Sequence, residues 1–439
     1  VNDERLETLI PLQRQLLLAA REWSRGEELP PDVDEIRHEA IRINHLRYGE
    51  LVPYYQHVAR DQGLLGPLEV DEIVQNLMFP GLFKTYEPRW LAEGDFTSMT
   101  DWLSNVSTLR PGIDPAGLRD LNQWRQRLRS AGIFLSYSSG TSGRMSIVPR
   151  DTLSFQALCT NSSAYADPKW SAGPDGAPRP FDCLVAGPKG GGMGILGAGV
   201  GLARSAARAH FLYDVELPDE LVQAAPGEAA RGALARFLEA AGATDGEHYG
   251  RAFDFVRQSI ADSRPILLFG APFQIKWLCE ALSRRGERLE AAPGSTVVTG
   301  GGWKSFGGER IARAELCRLL ERDFGIDRSH FIDAYSTSEL NCTLSSCAEG
   351  RYHVPPLIEA VVLDEALFGA AGQEGHGTLA FLDPFAVSYP GFVVTGDRAR
   401  LARGRCSCGL AGWFLDGEIE RSPDEEIKGC GGVLASIKA

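Results

Sequence analysis

No run of about 18 consecutive apolar residues occurs anywhere in the chain. Its longest useful apolar stretch, PILLFGAPF at 265–273, is only strand-length, so no membrane-spanning helix is expected. Positive charge is also short. Lys and Arg number 45 against 58 Asp and Glu, a formal net charge of −13. A general nucleic-acid binder neutralises phosphates with clustered cations, and this balance argues against one. The first residues, VNDERLETLI, lack the basic-then-apolar order of a secretory signal. No internal repeat or low-complexity tract interrupts the chain. Nine cysteines in a core-competent chain suggest reduced thiols in a cytoplasm, some of them available to a metal. A cytoplasmic enzyme is the expectation from these absences.

With 439 residues the chain can bury a full core, as two or three domains or as one large α/β unit with an appended piece. Residues 1–100 read as mainly helical and packed on the core, with ERLETLIPLQRQLLLAAREW broken at Pro11. Residues 101–439 read as the core domain. LNQWRQRLRSAG predicts a helix closed by Gly132, and IFLSY a short strand after it. A polar loop and the helical DTLSFQALCTNSSAYA follow, which predicts a βα unit. DPKWSAGPDGAPRP (167–180) predicts a surface loop. Strands such as FDCLVAG, PILLFG and STVVTG then alternate with helices such as FQIKWLCEALSRRG, the signature of a parallel or mixed sheet covered by helices. After 355 the short segments IEAVVLDE, GTLAFLD and FVVTGDRARL predict an antiparallel region.

The loop itself is YSSGTSG, Tyr137 to Gly143, followed by IVPRD. Hydroxyls and glycines between a strand and the next element expose consecutive backbone N–H groups, a nest suited to phosphate oxygens. It is not a Walker A loop, because the Gly-Lys-Ser/Thr ending is absent. GPKGGGMG at 187–194 lacks that ending too.

Four ordered motifs give the loop its context. YSSGTSG resembles the phosphate-binding signature of the adenylate-forming superfamily, in its phenylacetate–CoA ligase and LuxE-type acyl-protein synthetase branch. DAYSTSE (333–339) resembles that family's aromatic-Gly-x-Thr-Glu motif, with Ser336 in place of the usual glycine and Ser338 in place of threonine. VVTGD (393–397) resembles its ribose-binding aspartate motif, and GGGWKSFGGE (300–309) stands where its adenine-lining loop lies. The resemblance runs from about residue 130 to the end and implies an α/β fold with mixed sheets. It implies ATP-dependent activation of a carboxylic acid as an acyl or aryl adenylate, then transfer to a thiol. Ser138, Ser139, Gly140, Thr141, Ser142 and Gly143 would hold the β/γ phosphates, with Gly301, Gly302, Ser336 and Ser338 completing the nucleotide site. Tyr335 would lie against adenine, Glu339 would bind Mg²⁺, and Asp397 would accept from both ribose hydroxyls. Gly270, Ala271 and Pro272, after a strand end, would border the carboxylate pocket.

Most members of the superfamily carry a C-terminal lid domain of which this chain shows no full copy. DEEIKGCGGVLASIKA instead resembles the acyl-protein synthetase C-terminus, where a cysteine preceded by glycine takes the acyl group. Cys430 matches that residue, although Gly431 and Lys428 depart from the family's serine and arginine. A thiolate can take an acyl group from an adenylate without strong activation. Lys304, Lys428 and Lys438 are the candidates for charge stabilisation in place of a lid lysine.

Cys347-x5-His353 and Cys406-x-Cys408 together offer four soft ligands, the composition of a structural zinc site, and some phenylacetate–CoA ligase relatives resemble it there. Cys342 is a candidate substitute for Cys347. Cysteines 159, 183, 279 and 317 fall in predicted strands or helices and read as buried small hydrophobes. The acceptor stays open between Cys430, a carrier protein and coenzyme A, and a carrier protein or a reductase is the expected partner. So does the acid, fatty or aromatic. An amide- or ester-forming ligase of natural-product assembly and a silent nucleotide-binding module are the alternatives.

Overall fold

The computed structural model describes residues 4–138, 144–161, 180–223, 228–243, 246–303, 309–366 and 368–421. Its strands are β1 (Phe79–Pro80), β2 (Phe134–Tyr137), β3 (Ile147–Arg150), β4 (Asp182–Gly190), β5 (Arg208–Glu216), β6 (Ile266–Gly270) and β7 (Thr296–Gly300). They continue as β8 (Phe331–Tyr335), β9 (Leu344–Ser346), β10 (Tyr352–His353), β11 (Glu359–Leu363), β12 (Gly375–Leu382), β13 (Phe392–Arg405) and β14 (Ala411–Arg421). One twelve-stranded sheet runs in the order β11-β12-β13-β14-β10-β9-β8-β7-β6-β4-β5, with β1 added beside β13.

The sheet has two characters. From β5 to β8 its strands are parallel. From β8 through β9, β10, β14, β13 and β12 to β11 they are antiparallel. Side chains alternate between faces along each strand, and in the parallel half both faces are apolar. Leu184, Ile266, Leu268 and Val297 pack with Phe253, Leu278 and Leu320 of helices Glu247–Ala261, Pro272–Arg284 and Arg313–Phe324. Cys183, Val185, Leu267, Phe269 and Val298 face the other way, onto Ala198 and Leu202 of helix Gly194–Ser205.

In the antiparallel half the N-terminal helices do the covering. Leu16, Ala20 and Trp23 of helix Glu4–Ser24 meet Ala360, Leu379 and Phe381 on one face. Tyr48 and Tyr55, from helices Val33–Leu51 and Pro53–Asp61, meet Val361, Ala380 and Leu382 on the other. The first helix runs unbroken through Pro11, contrary to the break expected there. Proline removes one hydrogen bond to the preceding turn, and the packing of Leu9 and Leu16 on either side outweighs that loss. Helix Phe96–Asn105 runs across residue 100.

A second departure lies at the polar loop. β2 and β3 form an antiparallel hairpin, so the loop joins two strands and the helix Thr152–Asn161 follows the second. IVPR is too short to show an alternation, and its burial at every position becomes visible only in three dimensions. Of the expected surface loop 167–180, only residue 180 is described.

Candidate functional site

Parallel strands bring their carboxyl ends to one edge, where open α/β sheets form ligand crevices. Here that edge is lined with glycine. β4 ends at Gly190 and leads into Gly191 and Gly192, β6 ends at Gly270, and β7 ends at Gly300 before Gly301 and Gly302. Gly301 and Gly302 take positive φ of 77° and 60°, a conformation that suits glycine. Gly192 is required by contact instead, because a Cβ there would lie 1.9 Å from the Tyr137 ring. The Tyr137 amide donates to the Gly192 carbonyl at 2.7 Å, which stitches the β2–β3 hairpin to this edge. The buried Tyr137 hydroxyl has no hydrogen-bond partner among the described residues.

Ser138 and Ser146, on either side of the loop residues, bond to each other, and Ser146 to Glu339. The Ser138 amide donates to the Ser146 carbonyl at 3.1 Å, and the Ser146 amide donates to Ser138 Oγ at 3.0 Å. Ser146 Oγ in turn donates to Glu339 Oε1. Ser139, Gly140, Thr141, Ser142 and Gly143 lie outside the described residues, as do Lys304, Lys428, Cys430 and Lys438. Gly194, at the start of its helix, backs onto Ser338, whose Cα would be 3.6 Å from an added Cβ. The Ser336 hydroxyl is used locally, donating to the Cys342 carbonyl at 2.8 Å.

Arg150, at the end of β3, fixes the Glu339 segment from behind. Its side chain is fully buried. Nε donates to Asn341 Oδ1 at 2.8 Å, and Nη2 donates to the carbonyls of Ser338 and Leu340 at 2.8 and 3.1 Å. The guanidinium stands 5.2 Å above the Tyr389 ring, and the Tyr389 hydroxyl donates to the Glu339 carbonyl at 2.8 Å. Nη1 has no partner among the described residues. Asp383 lies in the same network, accepting from the Asn341 and Phe385 amides at 2.7 and 2.8 Å. Burial lifts its carboxyl to about 6, against the pull of those amides and of Arg150. The segment 383–391 is held by helix Val33–Leu51, where Asn44 donates to the Pro384 carbonyl at 2.9 Å and Arg47 to that of Val387 at 3.0 Å.

Tyr335 and Asp397 meet beside this network. The tyrosine hydroxyl donates to Asp397 Oδ2 at 2.8 Å, across two strands whose sequence separation is 62. Asp397 is 5% exposed, and its amide donates to Thr395 Oγ1 at 3.1 Å. Asp333, two residues before Tyr335, accepts from Thr299 and Tyr352 hydroxyls, both at 2.6 Å. Gly270, Ala271 and Pro272 form the β6 end and the start of the following helix, next to the β7 glycines.

The soft ligands converge at the far side of β9 and β10. Ligand atoms of Cys347, His353, Cys406 and Cys408 all lie within 4.8 Å of one another. Cys347 Sγ is 3.8 Å from Cys406 Sγ, and Cys408 Sγ is 3.3 Å from His353 Nε2. A tetrahedral zinc with bonds of about 2.3 Å to sulfur and about 2.0 Å to nitrogen spaces its ligands by roughly 3.5–3.8 Å, so the donor set fits zinc. Burial opposes ionisation of Cys406, but bonds from the Cys408 amide, Arg351 and the neighbouring thiols bring it down to about 7. Burial raises Cys408 to about 11. Cys342 is buried elsewhere and takes no part in the cluster. Cys159, Cys183, Cys279 and Cys317 are buried in helices and a strand, as their positions predict.

Residues 239–437 match the family described as acyl-protein synthetase, LuxE. Two curated relatives, each a long-chain-fatty-acid–luciferin-component ligase, come from Aliivibrio fischeri and Vibrio harveyi. Each is 31% identical over 135 residues, which is 30% of this chain and 36% of the relative. The match thus spans about a third of the length of either relative. Among solved structures, 2-hydroxyisobutyryl-CoA ligase with 2-HIB-AMP and CoA superposes with a TM-score of 0.52 at 15% identity, covering 89% of this chain and 70% of that one. A postadenylation state of the same ligase superposes equally, at 0.52 and 14% identity over 91% and 73%. The chain has the mixed α/β fold of the adenylate-forming ligases.

The motif residues that are described gather at one edge of that fold. Ser146, Arg150, Asn341, Asp383 and Tyr389 were not singled out in the sequence, although IVPRD (147–151) contains Arg150 and the stretch SYPGFVVTGD (388–397) contains Tyr389. Their role is to hold one another and the Glu339 segment, and no local spacing announces a network built from three separate segments.

Proposed function

We propose that the protein activates a carboxylic acid with ATP, forming an acyl or aryl adenylate and releasing pyrophosphate, and then passes the acyl group to a thiol. One observation carries this reading. The hydroxyl hairpin, Glu339 and the Tyr335–Asp397 pair, distant in sequence, converge on the glycine-lined carboxyl edge of a parallel sheet. In this reading Ser138 and the residues 139–143 hold the β/γ phosphates. Asp397 accepts from the ribose hydroxyls, and Tyr335 forms a wall for the adenine. Glu339 holds Mg²⁺, which supplies charge neutralisation of the phosphates. Gly301, Gly302, Ser336 and Ser338 contribute backbone around the nucleotide, and Gly270, Ala271 and Pro272 border the acid.

Both reactants are anions, so orientation and charge screening are the chief requirements of the first step. Lys304 is the cation assigned to that task. The acceptor thiol is Cys430, within the stretch that matches the acyl-protein synthetases; coenzyme A and a carrier protein are the other acceptors, and a reductase is a further partner. Zinc held by Cys347, His353, Cys406 and Cys408 is structural, since four protein ligands leave no open position. The helices between Glu4 and Asn76 buttress the antiparallel half, while Leu82 to Met99 pack with the hairpin and the parallel strands. No helix among the described residues is long and apolar enough to cross a membrane.

The test is acid-dependent ATP–pyrophosphate exchange, followed by intact mass after incubation with ATP and a competent acid. Wild type exchanges and gains one acyl mass, while Cys430→Ala exchanges without gaining it. A protein that supports no exchange with any fatty or aromatic acid would end the adenylation reading. Exchange without acylation would move the acceptor off this chain.

A further inference from the structure

The hairpin meets the Glu339 carboxylate through one side chain. Ile147 of β3 pairs with Tyr137 of β2, and Ser146 and Ser138 face each other one step further out, where the loop begins and ends. Ser146 is buried, and each of its polar atoms is engaged. Its carbonyl accepts from the Ser138 amide, its amide donates to Ser138 Oγ, and its hydroxyl donates to Glu339 Oε1. The first two bonds use backbone atoms and would survive loss of the side chain. The third belongs to the hydroxyl alone.

Glu339 has little other freedom. The carbonyls of Ser338 and Leu340 accept from Arg150 Nη2, and the carbonyl of Glu339 itself accepts from the Tyr389 hydroxyl. Three successive carbonyls are thus pinned, by β3 and by the segment 383–391. What remains to be set is the glutamate side chain, which loses rotamer entropy when it is held in one pose. The charge-assisted bond from Ser146 sets it. That bond engages Oε1 and leaves Oε2 unengaged by the serine. Ser138 Oγ, accepting from an amide, keeps its own proton for another acceptor. A carboxylate beside serine hydroxyls is the hard-oxygen donor type that Mg²⁺ takes, and Mg²⁺ tolerates little departure from octahedral geometry.

We infer that Ser146 is a positioning residue. Its hydroxyl sets the pose of the Glu339 carboxylate against Ser138, the first hydroxyl of the phosphate-binding loop, so that metal ligand and phosphate cradle keep one spacing. This role rests on the adenylation reading, in which Glu339 holds Mg²⁺, and adds to it a residue that acts through Glu339.

Calorimetry with ATP, in the presence and absence of Mg²⁺, tests it on wild type, Ser146→Ala, Glu339→Gln and the double variant. Ser146→Ala should lose roughly tenfold of the gain that Mg²⁺ gives to ATP binding, the scale of one hydrogen bond to a charged group. Its metal-free ATP affinity and thermal midpoint should stay at wild-type values, because the backbone bonds to Ser138 remain. Added to Glu339→Gln, the same substitution should change nothing further, as expected of a residue that works through its partner. In ATP–pyrophosphate exchange, Ser146→Ala should need roughly tenfold more Mg²⁺ to reach half its maximal rate. A Ser146→Ala protein with wild-type metal dependence, or losses that add in the double variant, overturns the inference and leaves adenylation standing. A wild type that binds ATP equally well with and without Mg²⁺, or a Glu339→Gln protein that keeps the wild-type gain, overturns the metal role of Glu339 and the inference with it.

Discussion

Asp397 and Tyr335 show what a single residue contributes and how much of it a sequence reveals. The aspartate is legible because an acidic residue after VVTG stands in a recognisable motif, and the tyrosine because it opens another. Their 2.8 Å hydrogen bond belongs to neither motif and appears only when β8 and β13 are folded together. Asp397→Ala should leave the fold intact and weaken nucleotide binding by about 1.5–3 kcal/mol, the range for removing a charged hydrogen-bonding partner. Tyr335→Phe keeps the aromatic wall and releases one hydrogen bond, so the loss should be nearer 1 kcal/mol. Calorimetry with ATP and Mg²⁺ measures both, and equal affinities across the three proteins would remove the pair from the nucleotide site. Arg150 was not legible, because a buried arginine owes its place to carbonyls 188 to 190 residues away.

Among elements, long periodic segments declared themselves and short ones did not. Helix Pro272–Arg284 and strand Ile266–Gly270 follow from apolar spacing and length. The four residues of β3 carry no period, and the hairpin they make was read as a βα unit. The thiol cluster lies between these cases. Cys-x5-His and Cys-x-Cys are visible spacings, but their union depends on β10 lying beside β14, with Tyr352 opposite Leu415 and His353 opposite Phe414. If zinc ties those strands together, protein purified without chelator should contain about one zinc per chain, as a site with four protein ligands holds one ion. Cys406→Ser should lose the metal and unfold at lower temperature, and EDTA should lower the wild-type midpoint in the same direction. Metal-free native protein with an unshifted midpoint would refute the site.

At the scale of the molecule, the antiparallel half depends on helices that come first in the chain. Their attachment is partly electrostatic. Arg37, buried in helix Val33–Leu51, faces the buried Glu359 of β11, with Nη2 2.6 Å and Nε 2.7 Å from Oε2, while His38 adds a contact at 3.3 Å. Burial would raise the carboxyl, but the charge of Arg37, with His38 behind it, holds Glu359 down from 4.5 to about 2. A depressed carboxylate stabilises the fold above its unfolded value, near 4.5, and that contribution disappears as pH falls through the folded value near 2. Glu359→Gln removes the buried partner of Arg37 and leaves it only the exposed Asp34, 2.8 Å from Nη2, so the loss at pH 7 should be below the ~3–5 kcal/mol of a fully stranded buried charge. The gap between wild type and variant should then close as the pH is lowered from about 4.5 towards 2, because protonation turns the wild-type glutamate into a near copy of glutamine. Urea unfolding of both proteins across that range reads the gap directly. A difference that stays constant with pH would mean that shape, not charge, joins the first helices to the sheet. A difference that closes would make this pair the electrostatic tie between the helices that come first in the chain and the edge strand β11, whose neighbour β12 leads into the site's supporting loop, 383–391.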